Sequence, residues 1–239
     1  MLDGRCIVVT GASGNLGSAV CRRLLEGGAS VVALVHRETT RVSLARALAG
    51  AVPGSSDRLD VVTAELAREA SVEAAYDGAV AKFGGLWASV QCAGGWKGGA
   101  TVAETPLHVF EEMIAVNLRN TFLASRAALR RFTTGGRIVN VAAFNPAMGF
   151  GLAGSGAYAA SKAAIVAFTL AIAEEGAKDG IRANCVAPGT LRTETNARGM
   201  PAANQDGWVP LEDVSEAIAQ LCSPASGALT GAVLTLPSR

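Results

Sequence analysis

Short runs of β-branched and aliphatic residues alternate with longer stretches of helical period along the 239-residue chain. The short runs predict strands over Arg5–Thr10, Ser30–Val35, Arg58–Thr63, Leu86–Gln91, Gly136–Val141, Ile181–Val186 and Ala232–Leu236. Between them, apolar residues recurring every three or four positions predict helices from about Asn15 to Glu26 and over Ala70–Lys82, Pro106–Arg131, Ala157–Ala177 and Leu211–Cys222. Gly27-Gly28 marks the end of the first helix. Strand, helix, strand in steady alternation is the pattern of repeated βαβ units. It predicts a single doubly wound α/β domain over 1–239, with a mainly parallel seven-stranded sheet and helices on both faces. In such a sheet ligands bind beyond the carboxyl ends of the strands, so the turns after each strand are the places to look for chemistry.

Composition narrows the partners. Net charge is +1 with the signs interspersed, and there is neither a basic block nor an acidic tail, so no nucleic acid is expected. The chain enters its first strand without a leader and its apolar runs fall short of a bilayer span, so a cytoplasmic protein without a membrane partner is expected. Five scattered cysteines form no CxxC pair, and His36 and His108 sit in unrelated contexts, so neither a disulfide framework nor a metal site is expected.

The first strand runs into Thr10-Gly-Ala-Ser-Gly-Asn-Leu-Gly17 at the start of a helix. Glycines Gly11, Gly14 and Gly17 allow a backbone to approach a pyrophosphate while the helix N-terminus binds it, and a merely structural turn is the weaker alternative. At the end of the second strand an acid would read a ribose 2′-hydroxyl and an arginine would welcome a 2′-phosphate; the chain has His36-Arg37, which favours NADPH over NADH, unless Arg37 is a solvated charge and Glu38 does the reading. Further on, Tyr158 and Lys162 lie four apart on one helix face. A free tyrosine titrates near pH ~10, and an ammonium beside it favours the ionised form, which would make the phenol a usable proton donor near neutrality.

In this order and over nearly the whole chain, the glycine turn, Cys92-Ala-Gly94, Asn117 in Ala-Val-Asn-Leu, Gly136-Arg-Ile-Val-Asn-Val141, Tyr158/Lys162, and Pro188-Gly189 with Thr193 resemble the short-chain dehydrogenase/reductase family. The resemblance implies a Rossmann-like fold, an NAD(P)H-dependent oxidoreductase and a small-molecule substrate. Its cofactor would be held by Gly11, Ser13, Gly14, Asn15, Leu16 and Gly17, by His36 and Arg37, by Glu65-Leu66 at the adenine, by Ala93-Gly94, and by Pro188, Gly189, Leu191 and Thr193 at the nicotinamide carboxamide. Tyr158 would supply the proton, Lys162 would also hold the nicotinamide ribose, and Asn117 would sustain a water-linked proton relay. The long helices Pro106–Arg131 and Ala157–Ala177 would pair between subunits, giving a homodimer or homotetramer.

Two departures from the family pattern bear on the chemistry. Asn15 stands where the commoner pattern has glycine. More importantly, the serine that normally follows the fifth strand is missing, because the chain reads Val141-Ala142-Ala143-Phe144. Dihydropteridine reductases share this lack, and the stretches Ala93–Gly99, Thr193–Pro201 and Trp208–Glu212 are similar to theirs. A quinonoid dihydropterin or a quinone gains aromatic stabilisation on hydride addition and so needs less help from a carbonyl-orienting hydroxyl. Around Ala143, the candidate substrate residues are Asn145, Ser155, Trp96 and Trp208, with 94–105 and 190–210 as substrate-side loops. Ser155 or Asn145 could replace the missing hydroxyl in a conventional ketone reductase, with Ser155 the first suspect unless it is a helix cap; the two tryptophans could form a flat wall or be core. A cofactor-binding sensor that lost catalysis stays as a further alternative, against which Tyr158, Lys162 and Asn117 speak.

Overall fold

The computed structural model describes residues 2–238. Its strands are β1 (Cys6–Thr10), β2 (Ser30–Val35), β3 (Leu59–Thr63), β4 (Ala88–Gln91), β5 (Gly136–Val141), β6 (Ile181–Pro188) and β7 (Val233–Leu236). The main helices are α1 (Asn15–Glu26), α2 (Glu38–Ala51), α3 (Glu69–Phe83), α4 (Leu107–Met113), α5 (Asn120–Leu129), α6 (Phe144–Met148), α7 (Gly156–Gly176), α8 (Glu194–Gly199) and α9 (Leu211–Cys222). All strand pairs are parallel and the order is β3-β2-β1-β4-β5-β6-β7, so the winding reverses between β1 and β4 and opens a crevice above their carboxyl ends. The chain has the Rossmann-like fold expected from its alternating pattern.

Both faces of the sheet are covered, which is why the strands read as continuous apolar runs rather than as alternating ones. Ile7 and Val9 of β1 face a core shared with Val20 and Leu24 of α1, Leu44 of α2 and Ile218 of α9. Val8, one residue out of phase, faces Tyr76 of α3, Ala124 of α5 and Ile172 of α7. Two buried polar chains then fix the floor of the crevice. Asn140 of β5 donates to Thr169 of α7 at 2.9 Å and accepts from Ser125 of α5 at 3.4 Å, tying both helices to one strand. Tyr76 and Gln91 share the Ser89 hydroxyl at 2.6 and 2.8 Å, and Gln91 reaches Thr10 across β1 and β4.

Three expectations are corrected. Helix α2 is absent from the predicted set because it buries only Leu44 and Leu48, one turn apart, and so leaves little periodicity to read. The helix expected over Pro106–Arg131 is interrupted by a π-helical stretch, Ile114–Arg119, whose wider turn contains the buried Asn117. Finally, Gly156–Asp179 is long and apolar enough by length and composition to cross a membrane, although no apolar run of that reach was expected. In the fold this helix lies on the sheet, and its Ser161, Lys162 and Thr169 are buried and hydrogen-bonded.

Candidate active site

At the carboxyl end of β1 the chain turns through Gly11, whose φ of +63° suits only glycine, and whose missing Cβ would lie 2.6 Å from the Ala93 Cα. A Cβ on Gly17 would lie 2.2 Å from the Gly11 carbonyl oxygen. Backbone is therefore packed on backbone, leaving a concave turn at the head of α1. Asn15 is the first residue of α1, and among the described residues no non-glycine has a positive φ, so asparagine in place of glycine costs no backbone strain. Ser13, Gly14 and Asn15 are exposed at the mouth of this cradle, while Leu16 and Gly17 are buried beneath it. Its shape fits a dinucleotide pyrophosphate.

At the end of β2, His36 and Arg37 are exposed, and Arg37 caps the start of α2 by position. The neighbouring carboxylate is engaged elsewhere: Glu38 accepts from the Thr63 hydroxyl at 2.8 Å and pairs with Arg41, and these contacts hold its carboxyl below the usual range. Glu65 pairs with Arg68 at 3.6 Å and its amide donates to Ser71; Leu66 packs beside it on the core.

The turn after β4 closes on Asn117. The Asn117 side chain accepts from the Gly95 amide at 2.9 Å and donates to the Gly95 carbonyl at 3.1 Å and to Ser161 at 3.0 Å, while Ser161 donates to the Tyr158 carbonyl at 2.7 Å. A Cβ on Gly94 would lie 2.7 Å from Asn117 Oδ1 and 3.2 Å from Lys162 Nζ, so only glycine leaves room there. One asparagine thus joins the β4 turn, the π-helical stretch and the α7 turn that carries Tyr158.

Lys162 is buried and donates through Nζ to the Val141 carbonyl at 2.9 Å, at the end of β5. Burial pushes its ammonium down to about 8, and burial pushes the Tyr158 phenol up to about 12. This reverses the expected direction for Tyr158: Lys162 turns to a strand carbonyl, and desolvation rather than the neighbouring charge dominates the phenol. Neither the Val141 carbonyl nor Ser161 was singled out in the sequence. Backbone acceptors leave no residue-type signal, and a serine before the lysine has many uses.

After β6, Gly189 packs against the chain terminus: its amide donates to the Leu236 carbonyl at 2.8 Å, and a Cβ would meet Ser238 Oγ at 2.5 Å. Pro188 ends β6, Leu191 bridges to Val209, and the Thr193 hydroxyl accepts from the Asn196 amide at 3.1 Å as the cap of α8.

On the substrate side, Ala143 precedes α6 and Asn145 is exposed on it. Ser155 stands at the start of α7 without capping it through its side chain; its hydroxyl donates to the Leu152 carbonyl at 2.9 Å. It borders a cavity of about 320 Å³ shared with Trp96, Lys97, Thr105, Pro106 and Val109. The two tryptophans form no common wall. Trp96 is 63% exposed over that cavity, whereas Trp208 is 6% exposed and belongs to the interior beside Val209.

A family profile described as short chain dehydrogenase matches residues 5–203. The 3beta-hydroxysteroid dehydrogenase 2 of Eggerthella lenta is 33% identical over 99% of this chain and 94% of its own length. This chain is a short-chain dehydrogenase/reductase. The family relationship makes it an NAD(P)-dependent oxidoreductase with a small-molecule substrate. Another short-chain dehydrogenase/reductase relative, the cis-4-hydroxycyclohexanecarboxylate dehydrogenase of Sinomonas cyclohexanicum, is 36% identical over 97% of this chain and 94% of that one. Among solved structures, a blue fluorescent protein from a metagenomic library in complex with NADPH superposes with a TM-score of 0.87 at 28% identity, covering 99% of this chain and 97% of that one.

Proposed function

We propose that this enzyme is an NADPH-preferring reductase of a planar, electrophilic C=O or C=N group, such as a quinone or a quinonoid dihydropterin. The observation that carries this reading is the pairing of an intact Tyr158/Lys162 helix face with a hydroxyl-free end of β5. Ser155, a substitute at the head of α7, donates its proton to the Leu152 carbonyl and would have to break that hydrogen bond to serve a substrate oxygen. An acceptor that becomes aromatic on reduction needs least from that missing donor.

When bound, the cofactor supplies the hydride. The cradle from Gly11 to Gly17 receives its pyrophosphate, with Glu65-Leu66, Ala93-Gly94 and the Pro188–Thr193 loop along its length. Arg37 receives the 2′-phosphate, and the engagement of the neighbouring Glu38 carboxylate by Thr63 and Arg41 supports that reading. Tyr158 stays protonated through neutral pH and donates its phenolic proton to the substrate oxygen or nitrogen. With the cofactor bound, Lys162, charged below about pH 8, turns from the Val141 carbonyl to the ribose and to the phenolate left behind, while Asn117 anchors the surrounding turns and a water-linked relay. Loops 94–105 and 190–210 border the substrate. Exposed Leu107, Phe110, Phe122 and Leu170 on α4, α5 and α7 support pairing of those helices in a homodimer or homotetramer.

A second reading rests on the relatives named for alicyclic hydroxyl compounds: a ketone or secondary alcohol on a saturated ring, with Ser155 turned toward the substrate. Ser155→Ala separates the two. On the first reading kcat stays within about threefold of the parent enzyme; a loss of about 100-fold, the scale of one lost oxyanion donor, would overturn it in favour of the second.

A further inference from the structure

The opposite end of the sheet, below the amino ends of the strands, carries a second charged cluster that the reductase reading does not use. Arg5 leads into β1 and Trp87 into β4, while Arg137 and Arg182 sit in register on β5 and β6 and leave the same face. The Arg5 and Arg137 guanidiniums stand 3.8 and 4.8 Å from the centre of the Trp87 ring. Trp87 is fixed in turn, its indole N–H donating to the Cys222 carbonyl at 2.7 Å. Arg182 and Arg137 converge on one turn: Arg182 Nε donates to the Gly227 carbonyl at 2.8 Å, and Arg137 Nη2 lies 3.9 Å from where a Gly227 Cβ would be.

Donors are left over in this cluster. Arg137 is 7% exposed; among the described residues its Nε is buried with no partner, and its side chain's only hydrogen bond runs from Nη1 to the Gly136 carbonyl next to it. Arg182 spends Nε and Nη1 on Gly227 and Ile181. Among the described residues no carboxylate lies within ion-pair distance of Arg5, Arg137 or Arg182. Nor does the negative end of α9 answer them, because its Leu221 and Cys222 carbonyls are taken by Ser226 and Trp87. A guanidinium keeps its charge at any working pH, so the three cannot relieve their repulsion by losing a proton. Burial and then the Arg182 charge, with a smaller contribution from Arg5, outweigh the Cys222 thiol and hold the Arg137 guanidinium below its ordinary value.

We propose that Arg5, Arg137 and Arg182, arranged around Trp87 and the Gly227 turn, bind a phosphate group, free or at the end of a small monoester, at the pole of the sheet away from the active site. Phosphate fits because its oxygens accept paired N–H bonds from more than one planar fork, and because a dianion balances more of the clustered charge than chloride does. Occupancy ties the starts of β1, β5 and β6 together, so its direct effect is on stability rather than on turnover.

The experiment is calorimetric titration and thermal unfolding of the full chain with inorganic phosphate, and in a parallel arm with glycerol phosphate, at an ionic strength held constant with chloride. Arg137 is too buried for a safe substitution, so the partly buried Arg5 and Arg182 carry the test. Phosphate is expected to bind and to raise Tm beyond the chloride control. Arg5→Gln and Arg182→Gln should each weaken that binding at least tenfold, whereas Arg46→Ala, at an exposed arginine of α2 outside both sites, leaves it unchanged. Binding of the monoester as well identifies an open site; binding of the free ion alone identifies an enclosed one. Equal stabilisation by chloride, or wild-type phosphate affinity in both Arg5→Gln and Arg182→Gln, overturns the proposal.

Discussion

On the proposed mechanism Tyr158 and Lys162 carry the proton chemistry, and burial sets the environment of both. A phenol pushed up to about 12 is fully protonated at neutrality, as a donor must be, and the amine at about 8 still carries most of its charge there. The sign of the pH effect follows. As pH rises through about 8 Lys162 loses its proton and its hold on the nascent phenolate, while Tyr158 is unchanged, so kcat/KM for reduction falls over that interval; a profile flat to pH 10 would contradict the assignment. Tyr158→Phe removes the proton donor without touching the cradle. It should lower kcat by about 100-fold or more with the cofactor Kd nearly unchanged, measured by stopped-flow turnover and fluorescence titration, and full activity would refute the role. Tyr158 and Lys162 on one helix, Arg37 after β2 and the serine-free end of β5 are what the proposal takes from the sequence, because each is a residue type at a motif position. The direction of the Tyr158 shift was not legible there, since it depends on how deeply the side chain lies, and the partner that turns Lys162 aside is a backbone carbonyl.

At the scale of elements, the strands were read to within a residue or two because both faces are buried and the runs are continuous. Helix α2 was missed for the opposite reason, having two buried residues and an otherwise solvated surface. The π-helical turn was equally hidden: Ile114–Arg119 has the composition of an ordinary helix, and the extra width appears only where Asn117 must reach Gly95 and Ser161. Trp208 was a candidate for the substrate wall, yet the bridge between Leu191 and Val209 draws it into the interior. Contact between elements also makes a sharp prediction at the head of α1. Gly17→Ala places a methyl 2.2 Å from the Gly11 carbonyl, so turn and helix must separate. Cofactor affinity should fall at least tenfold and stability by about 1–3 kcal/mol, read by fluorescence titration and chemical denaturation. Unchanged affinity would mean that the turn does not hold the pyrophosphate.

Over the whole molecule, the winding reversal between β1 and β4 gathers the turns after β1, β2, β4, β5 and β6 at one end of the sheet, where motifs scattered from Gly11 to Thr193 become one site. That gathering was predictable from the alternating pattern alone. Asn140 keeps the assembly in register by binding α5 and α7 to β5, so Asn117 and Tyr158 keep their spacing though they are far apart in sequence. What the pattern could not supply is the substrate, because on the proposed function the end of β5 selects by the hydroxyl it lacks. The measurement that tests the account most directly is therefore the initial rate of NADPH oxidation by the purified enzyme with a quinonoid dihydropterin, an ortho-quinone and simple alicyclic ketones, with NADH in parallel. The account predicts turnover of the pterin or the quinone, at least tenfold slower reduction of the ketones, and a preference for NADPH; rapid ketone reduction, or a preference for NADH, would contradict it.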